Sequence, residues 1–364
     1  MSENLVKTAL YNEHRELGAK ILPFAGYKMP ISYSNGIKAE HYAVRNSSGI
    51  FDVSHMGQFF VSGKESLSFL QKMTINDVSK LQVGDAQYSA MCYEDGGIVD
   101  DLIVYRKPDG FFLVVNASNI DKDYKWLSEH KPDSVSLFNH SSKYSLIALQ
   151  GPKSREILSK FTNSNINIKF YSYLDMKVCN KPVMLSRTGY TGELGYELYL
   201  SNDSAVEIWK AFMQAGAVPC GLAARDILRM EMKYCLYGND IDKNTSPIEA
   251  GLSWITSLTK NDFIGKDILK FQKENKSQNR LLIPFVMNER GVPRKGYRIT
   301  HDNQDIGYVT SGTQSISLGK GIGLGYVDIN HTKIGNSINI IIRNKKVSAK
   351  IVDSPFVKGT SLHN

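Results

Sequence analysis

Apolar and polar positions are most sharply patterned between residues 88 and 117. YSAMCY, IVDDLIVYR and FFLVVNA are strand-like runs, and EDGG (94–97) and KPDG (107–110) separate them. The pattern predicts a three-stranded antiparallel meander. Upstream, EHYAVRNSSGIFDVSHMG reads as a short helix running into a strand. Ser62 and Glu65 have capping-box spacing ahead of Leu67, Leu70 and Met73, which recur at about helical period. YSLIALQ followed by GPKSREILSKF reads as strand then helix, with Pro152 near the first turn, where a missing N–H costs nothing. KVCNKPVMLSRTGYTGELGYELYLS reads as strand, glycine-rich turn, strand. Ser204 and Glu207 repeat the capping-box spacing before a helix expected to bury Val206, Ile208, Trp209, Phe212 and Met213. GLAARDILRMEMKY predicts a helix, because its strong helix formers run uninterrupted.

The pattern changes after KFQKENKSQNR (270–280), which is almost wholly polar and predicts a linker. LLIPFVM, GYRIT, IGYVT, GIGLGYVDI, SINIIIR and KVSAKIVD then follow as short strands at near-regular spacing, with Val347, Ala349 and Ile351 alternating with polar residues. That is the signature of a small β-barrel. The expected fold class is α+β: a body over residues 1–280 and a C-terminal β-barrel over residues 281–364.

Composition removes several function classes. Apolar residues are 42% and charged residues 22%, which excludes a disordered chain, a collagen and a coiled coil. No apolar run approaches the ~20 residues that cross a bilayer, so no integral membrane protein is expected. The opening MSENLVKTALYNEHREL has no apolar h-region and carries Glu3, Glu13 and Glu16, unlike a signal or transit peptide. Cys92, Cys179, Cys220 and Cys235 are isolated, so reduced thiols in a cytoplasmic protein are expected, without disulfide or structural zinc. The 44 Lys and Arg against 36 Asp and Glu give a net charge of +8, which suits a nucleic acid, an acidic protein or a polyanionic ligand equally.

The adjacent Asp100 and Asp101 stand inside the apolar strand IVDDLIV. Aspartate is disfavoured there, and a buried charge needs a partner or a purpose. Neighbouring strand residues point to opposite faces, so the two cannot form a dyad on one face. With EDGG and KPDG as four-residue loops, Tyr93 faces Ile98, Ala90 faces Asp101 and Asp101 faces Asn116, with Tyr88 diagonal on the same face. Asp100 falls opposite Met91. The alternative is that both aspartates bind backbone at a sheet edge. In RTGYTGELGYELYL (187–200), Glu197 follows the turn inside an apolar strand, where its carboxylate can accept paired N–H bonds from an amidine-like edge such as a pterin or guanine; a plain hairpin is the simpler reading. Arg225 and Arg229, with Asp226 and Glu231, read as an exposed, salt-bridged helix face. GKGIGLG (319–325) fits a barrel strand better than a phosphate loop, His55 a structural role, and the basic residues of 343–350 a solvated face.

Taken together, FAGYKMPISY, EHYAVRNSSGIFDVSHMG, GGIVDDLIVY, ALQGP, RTGYTGELGYEL, GLAARDILRMEM, LYGNDID, SPIEAGLSW and FIGKDIL, in this order, resemble the T-proteins of the glycine cleavage system, the aminomethyltransferases. The resemblance implies a cloverleaf around a central folate cavity, with two interleaved subdomains in the body and a barrel at the C-terminus. It implies tetrahydrofolate as acceptor, without metal, and as donor an aminomethyl group on the dihydrolipoyl arm of the lipoyl carrier protein (H-protein). The products would be 5,10-methylenetetrahydrofolate, ammonia and the reduced carrier. The family's essential aspartate falls on Asp101, its pterin-binding glutamate on Glu197 and the arginine of its ARD motif on Arg225. Met56, Tyr88, Asn116, Tyr190 and Tyr234 match cavity-lining positions. The ending PFVKGTSLHN lacks the basic or tyrosine residues with which relatives reach folate. Asp101 is expected to position folate and stabilise developing positive charge; an aspartate starting near pKa ~4 would need large upward tuning to donate a proton at neutral pH. Other readings on the same fold are a folate-dependent demethylase or a non-catalytic folate-binding factor in RNA modification.

Overall fold

The computed structural model describes residues 5–364; Glu3 and the rest of the first four residues, used in reading the N-terminus, lie outside it. Two large sheets and a two-stranded one, Lys20–Phe24 with Tyr27–Ser32, form the body, and the chain passes from one large sheet to the other and back. The five-stranded sheet runs, in spatial order, Ala86–Cys92, Ile98–Lys107, Gly110–Val115, Gly57–Gly63 and Val135–Asn139. The six-stranded sheet runs Tyr173–Val178, Lys181–Ser186, Gly195–Ser201, Tyr144–Gln150, Gly49–Asp52 and Val218–Pro219, with only the last pair parallel. The meander read from the sequence is the first three strands of the five-stranded sheet.

The central strand Ile98–Lys107 is covered on both faces, as its nearly continuous apolar run requires. Leu102 and Val104 pack with Phe59, Val61, Leu113 and Leu127 on the helix-covered side. Ile103 and Tyr105 pack with Phe112, Val114 and Tyr199 in the core shared with the other sheet. Strand alternation therefore aims Asp101 between the sheets and Asp100 toward the helices. The expected pairings of Ala90 with Asp101 and of Met91 with Asp100 are present. The Tyr93–Ile98 pairing is not: the ladder shifts after Met91, Cys92 takes Ile98, and Val99 becomes the extra residue of a bulge.

Both capping boxes fail, the first because the strand runs on through the expected cap and the second because the helix begins before it. Ser62 still belongs to Gly57–Gly63, and the helix starts at Ser66 with no side-chain cap. Ser204 lies inside the helix Asn202–Gln214, which begins directly after the strand Gly195–Ser201. The polar stretch 270–280 is not a free linker either. Lys266–Asn275 is a helix that buries Leu269 and ends at Lys276, which has the positive φ of a C-terminal turn.

The C-terminal strands close into a barrel in the order Arg280–Met287, Gly321–Asp328, Gln304–Gln314, Arg298–His301, Ser337–Ile342 and Lys345–Ile351. Phe285, Ile299, Val309, Ile340 and Ile351 fill it. After the last strand the chain returns to the body: the Ser361 hydroxyl donates to Glu193 (2.6 Å), and Arg187 donates to the Leu362 carbonyl (2.6 Å).

Candidate functional site

The carboxylate of Asp101 accepts hydrogen bonds from the Tyr88 hydroxyl (2.8 Å) and the Asn116 amide (2.7 Å). These are the two side chains that the register argument placed on its face. The same amide also donates to Asp100 (2.8 Å), so Asn116 bridges the two aspartates although they leave the strand on opposite faces. Asp100, paired with Met91 as expected, is fully buried and accepts a further bond from Asn119 (2.7 Å). Burial, reinforced by the Asp100 charge, pushes the Asp101 pKa up to about 7, against the lowering effect of Tyr88 and Asn116. The upward tuning needed for proton exchange near neutral pH is therefore built in.

Glu197 lies in the strand Gly195–Ser201, opposite Ser186 of the neighbouring strand. One carboxylate oxygen accepts from the Thr188 hydroxyl (2.5 Å), which also contacts Ser186 (2.8 Å). The Tyr105 hydroxyl joins Ser186 (3.1 Å) to Tyr199 (3.0 Å) and completes a chain of hydroxyls that fixes the carboxylate. The glycine-rich turn beside it wraps the buried Gln150. A Cβ on Gly189 or Gly195 would stand 2.1 or 2.4 Å from that side chain, so glycine is needed for close approach at both positions. Gln150 holds the turn in place, donating to the Thr188 carbonyl (3.2 Å) and accepting from Thr191 (2.8 Å).

Arg225 stands on the helix Leu222–Glu231 in the field of Glu197, which partly offsets the lowering of its pKa by burial. Its guanidinium lies 4.8 Å from the centre of the Tyr190 ring, and Tyr190 stacks on Tyr234 at 5.7 Å. Among the described residues, Nη1 of Arg225 is buried and has no hydrogen-bond partner. A buried, unpaired guanidinium nitrogen is costly unless a ligand supplies the acceptor. Tyr190 donates to the Cys235 carbonyl, which fixes the ring. The Asp101 charge in turn acts on Tyr190, whose ring lies against Arg225. Met56 packs at its apolar edge, beside Phe51, Val53 and Val114. Met56, Tyr88, Asp101, Asn116, Tyr190, Arg225 and Tyr234 all keep partly exposed surface although they sit among core residues.

Tyr171 was not singled out from the sequence. Burial raises its pKa, and the charges of both Glu197 and Asp101 add to that. Its φ of 60° is unusual for an aromatic residue and marks a constrained position; the aromatic run FYSY was the only hint. The segment ARDILRME is not an exposed charged face. Arg229 is 1% exposed and donates to Asp226 (2.8 Å), Asp240 (2.7 Å) and Ser311 (3.0 Å). His55 is buried, and burial lowers its pKa to about 4. No three His, Cys, Asp or Glu side chains among the described residues converge as a cation site.

A two-sheet body with a closed C-terminal barrel, carrying among its core residues an unpaired guanidinium nitrogen and two carboxylates, is the architecture of a transferase of the aminomethyltransferase fold. A crystal structure of the glycine cleavage system aminomethyltransferase T from Bartonella henselae superposes with a TM-score of 0.92 at 31% identity, covering 98% of this chain and 99% of that one. The sequence matches the family profiles described as GCVT N-terminal domain over residues 10–260 and as glycine cleavage T-protein C-terminal barrel domain over residues 280–358. Curated relatives named aminomethyltransferase include those of Chloroherpeton thalassium, 51% identical, and Halothermothrix orenii, 48% identical. The matches cover 96% of this chain and 98% and 99% of those relatives, respectively. The chain belongs to the glycine cleavage T-protein family, and its reaction is folate-dependent aminomethyl transfer.

Proposed function

We propose that the chain transfers the one-carbon unit from the aminomethyl-dihydrolipoyl arm of the H-protein to tetrahydrofolate. The products are 5,10-methylenetetrahydrofolate, ammonia and the reduced carrier, and the reaction runs in the cytoplasm. The observation that carries this reading is the unpaired, buried guanidinium nitrogen of Arg225 beside Glu197. Glu197, held by Thr188, leaves its second oxygen without a donor among the described residues and suits the N–H edge of a pterin. Arg225 supplies positive charge on the folate side, and Tyr190 and Tyr234 provide stacking faces. Met56 closes the apolar edge of the pocket.

Asp101 is the working carboxyl. Tyr88 and Asn116 aim it, and a pKa of about 7 lets it stabilise positive charge when ionised and exchange a proton near neutral pH. The transfer needs proton delivery to departing ammonia and an unprotonated, correctly aimed folate amine, and this carboxyl can serve both needs. The net charge of +8 suits the acidic carrier and requires no nucleic acid. A demethylase or a non-catalytic folate-binding factor on this fold would not be expected to retain both the tuned carboxyl and the T-protein similarity along the whole chain. The deciding experiment is turnover with tetrahydrofolate and aminomethylated H-protein, following methylenetetrahydrofolate and ammonia together. Ammonia release that does not depend on tetrahydrofolate, or methylene transfer from an amine donor instead of the carrier, would refute the assignment.

A further inference from the structure

Beyond the barrel, the end of the chain is fastened by hydrogen bonds more than by apolar burial. Of residues 352–364, Ser361 alone is buried. A buried hydroxyl needs partners, and this one has them. It donates to Glu193 (2.6 Å) and accepts from the backbone N–H of Leu194 (2.9 Å), while the Ser361 backbone N–H donates to the same Glu193 oxygen (2.8 Å). One residue further, the Leu362 carbonyl accepts from Arg187 (2.6 Å). The other Glu193 oxygen accepts from Arg45 (2.8 Å), which also donates to the Thr191 carbonyl (2.8 Å).

The tail partners of Ser361 and Leu362 all belong to the glycine-rich turn 187–194, between the strands Lys181–Ser186 and Gly195–Ser201. Arg187 is its first residue and Leu194 its last, so the tail grips the turn at both ends. A turn with glycine at 189 and 192, the latter at a φ of 76°, has much backbone freedom to lose on ordering. What it carries must nevertheless be placed accurately. Thr188 holds the Glu197 carboxylate (2.5 Å), and the Tyr190 ring lies 4.8 Å from the Arg225 guanidinium. The tail bears on Tyr171 as well: the His363 ring meets Phe170 edge-on at 5.5 Å, Phe170 meets Tyr171 at 4.7 Å, and the Tyr171 N–H donates to the Arg187 carbonyl (3.1 Å).

We propose that Ser361 and Leu362 latch the turn 187–194 in its folate-binding form, which makes Ser361 a positioning residue for tetrahydrofolate. Ser361 acts through Glu193 and Leu194 on the turn that presents Thr188 and Tyr190, and it orders that turn before the ligand arrives, so that binding does not have to. The ending PFVKGTSLHN lacks basic or tyrosine side chains that could reach folate, yet on this account it still serves the pocket, with one serine hydroxyl and two backbone groups. The proposal rests on the reading of Glu197 and Tyr190 as folate contacts.

Ser361→Ala removes the hydroxyl from Glu193 and Leu194 and leaves the filling of the barrel untouched. Amide hydrogen exchange without ligand reads the latch directly: residues 187–194 should exchange faster in the variant, with the flanking strands unchanged. The Kd for tetrahydrofolate, by calorimetry, should rise about tenfold, the value for a turn that keeps its binding form about one-tenth of the time. In turnover the loss should fall on KM for tetrahydrofolate and not on kcat at saturating folate. A latch that only adds stability would lower Tm and leave Kd unchanged; that result overturns the proposal, and so does unaltered exchange in the turn. Deleting residues 360–364 removes the latch beyond the last strand, Lys345–Ile351, and should raise Kd at least as much; if Ser361→Ala does not fold, the deletion decides by the same two measurements. Glu197→Gln separates this proposal from the reading beneath it. Folate affinity that falls in Glu197→Gln but not in Ser361→Ala refutes the latch and leaves Glu197 in the pocket, whereas unchanged affinity in both refutes the pocket as well.

Discussion

Replacing Asp101 with Asn changes one group and keeps its shape, so Tyr88 and Asn116 retain a partner for their bonds to this position. We expect the variant to fold, to bind folate and to lose about 10²–10³ in kcat, the usual worth of one positioned electrostatic group. Stopped-flow single turnovers check this; a near-wild-type rate would remove Asp101 from the chemistry. Glu197→Gln turns one acceptor into a donor in a residue fastened by Thr188. Folate affinity should fall by about 2–5 kcal/mol, mostly from ligand N–H groups left facing a donor. Calorimetric titration reads it directly, and unchanged affinity would take Glu197 out of the pocket. Asp101 could be found from sequence because two hairpin loops and the period of a strand determine which residues share a face. The pairing failed only at Tyr93, where the Val99 bulge adds a residue that no hydrophobic pattern announces.

At the scale of elements, the most heavily bonded carboxylate is Glu231, at the end of the helix Leu222–Glu231. It accepts from His41 (2.9 Å) and Arg45 (2.7 Å) on the helix Gly36–Asn46, and from Ser315 (2.6 Å) and Ser317 (2.9 Å) in the barrel loop after Gln304–Gln314. Its backbone carbonyl also accepts from Phe356 and Val357 of the returning tail. One residue thus joins body, barrel and tail, the first two through its side chain and the tail through its backbone carbonyl. The sequence placed Glu231 on an exposed charged face because i, i+4 charges usually lie there; the barrel covers that face, and covering from another part of the chain leaves no mark in local periodicity. Removing one partner of a buried, fully bonded charge typically costs about 3–5 kcal/mol, so Glu231→Ala should lower the unfolding free energy by about that amount. Burial pushes the Glu231 pKa up, but His41, Arg45 and Ser315 outweigh it and hold it near about 2, below its ordinary 4.5. A depressed native pKa contributes stability above 4.5 that is lost as pH falls toward about 2. The stability difference between wild type and Glu231→Gln should therefore be largest near neutral pH and shrink as pH drops through that window. Urea unfolding at a series of pH values measures it; a difference that does not change with pH would mean that Glu231 acts through packing alone.

For the molecule as a whole, the six barrel strands could be read from regular spacing, whereas the interleaving of the body came only from the family resemblance, because which strands pair across long separations is set by packing and not by local pattern. Net charge is a property at this scale that the fold does not explain. At +8, the chain is suited to draw in an acidic H-protein, on the reading of its partner given above. Steering acts on the association rate and weakens as salt shortens the Debye length from about 10 Å at 0.1 M to about 3 Å at 1 M. KM for the carrier should therefore rise steeply with salt. Turnover at saturating carrier should change little, because contacts in the buried pocket around Glu197 and Arg225 are screened far less than a surface charge. Positive charge spread evenly for solubility would instead leave KM flat from about 0.05 to 0.5 M salt, over which the Debye length falls about threefold. A free dihydrolipoyl substrate, which has no acidic surface, separates the two cases: steering predicts that its KM is insensitive to salt, and a salt dependence equal to that of the carrier would assign the effect to the pocket and refute steering.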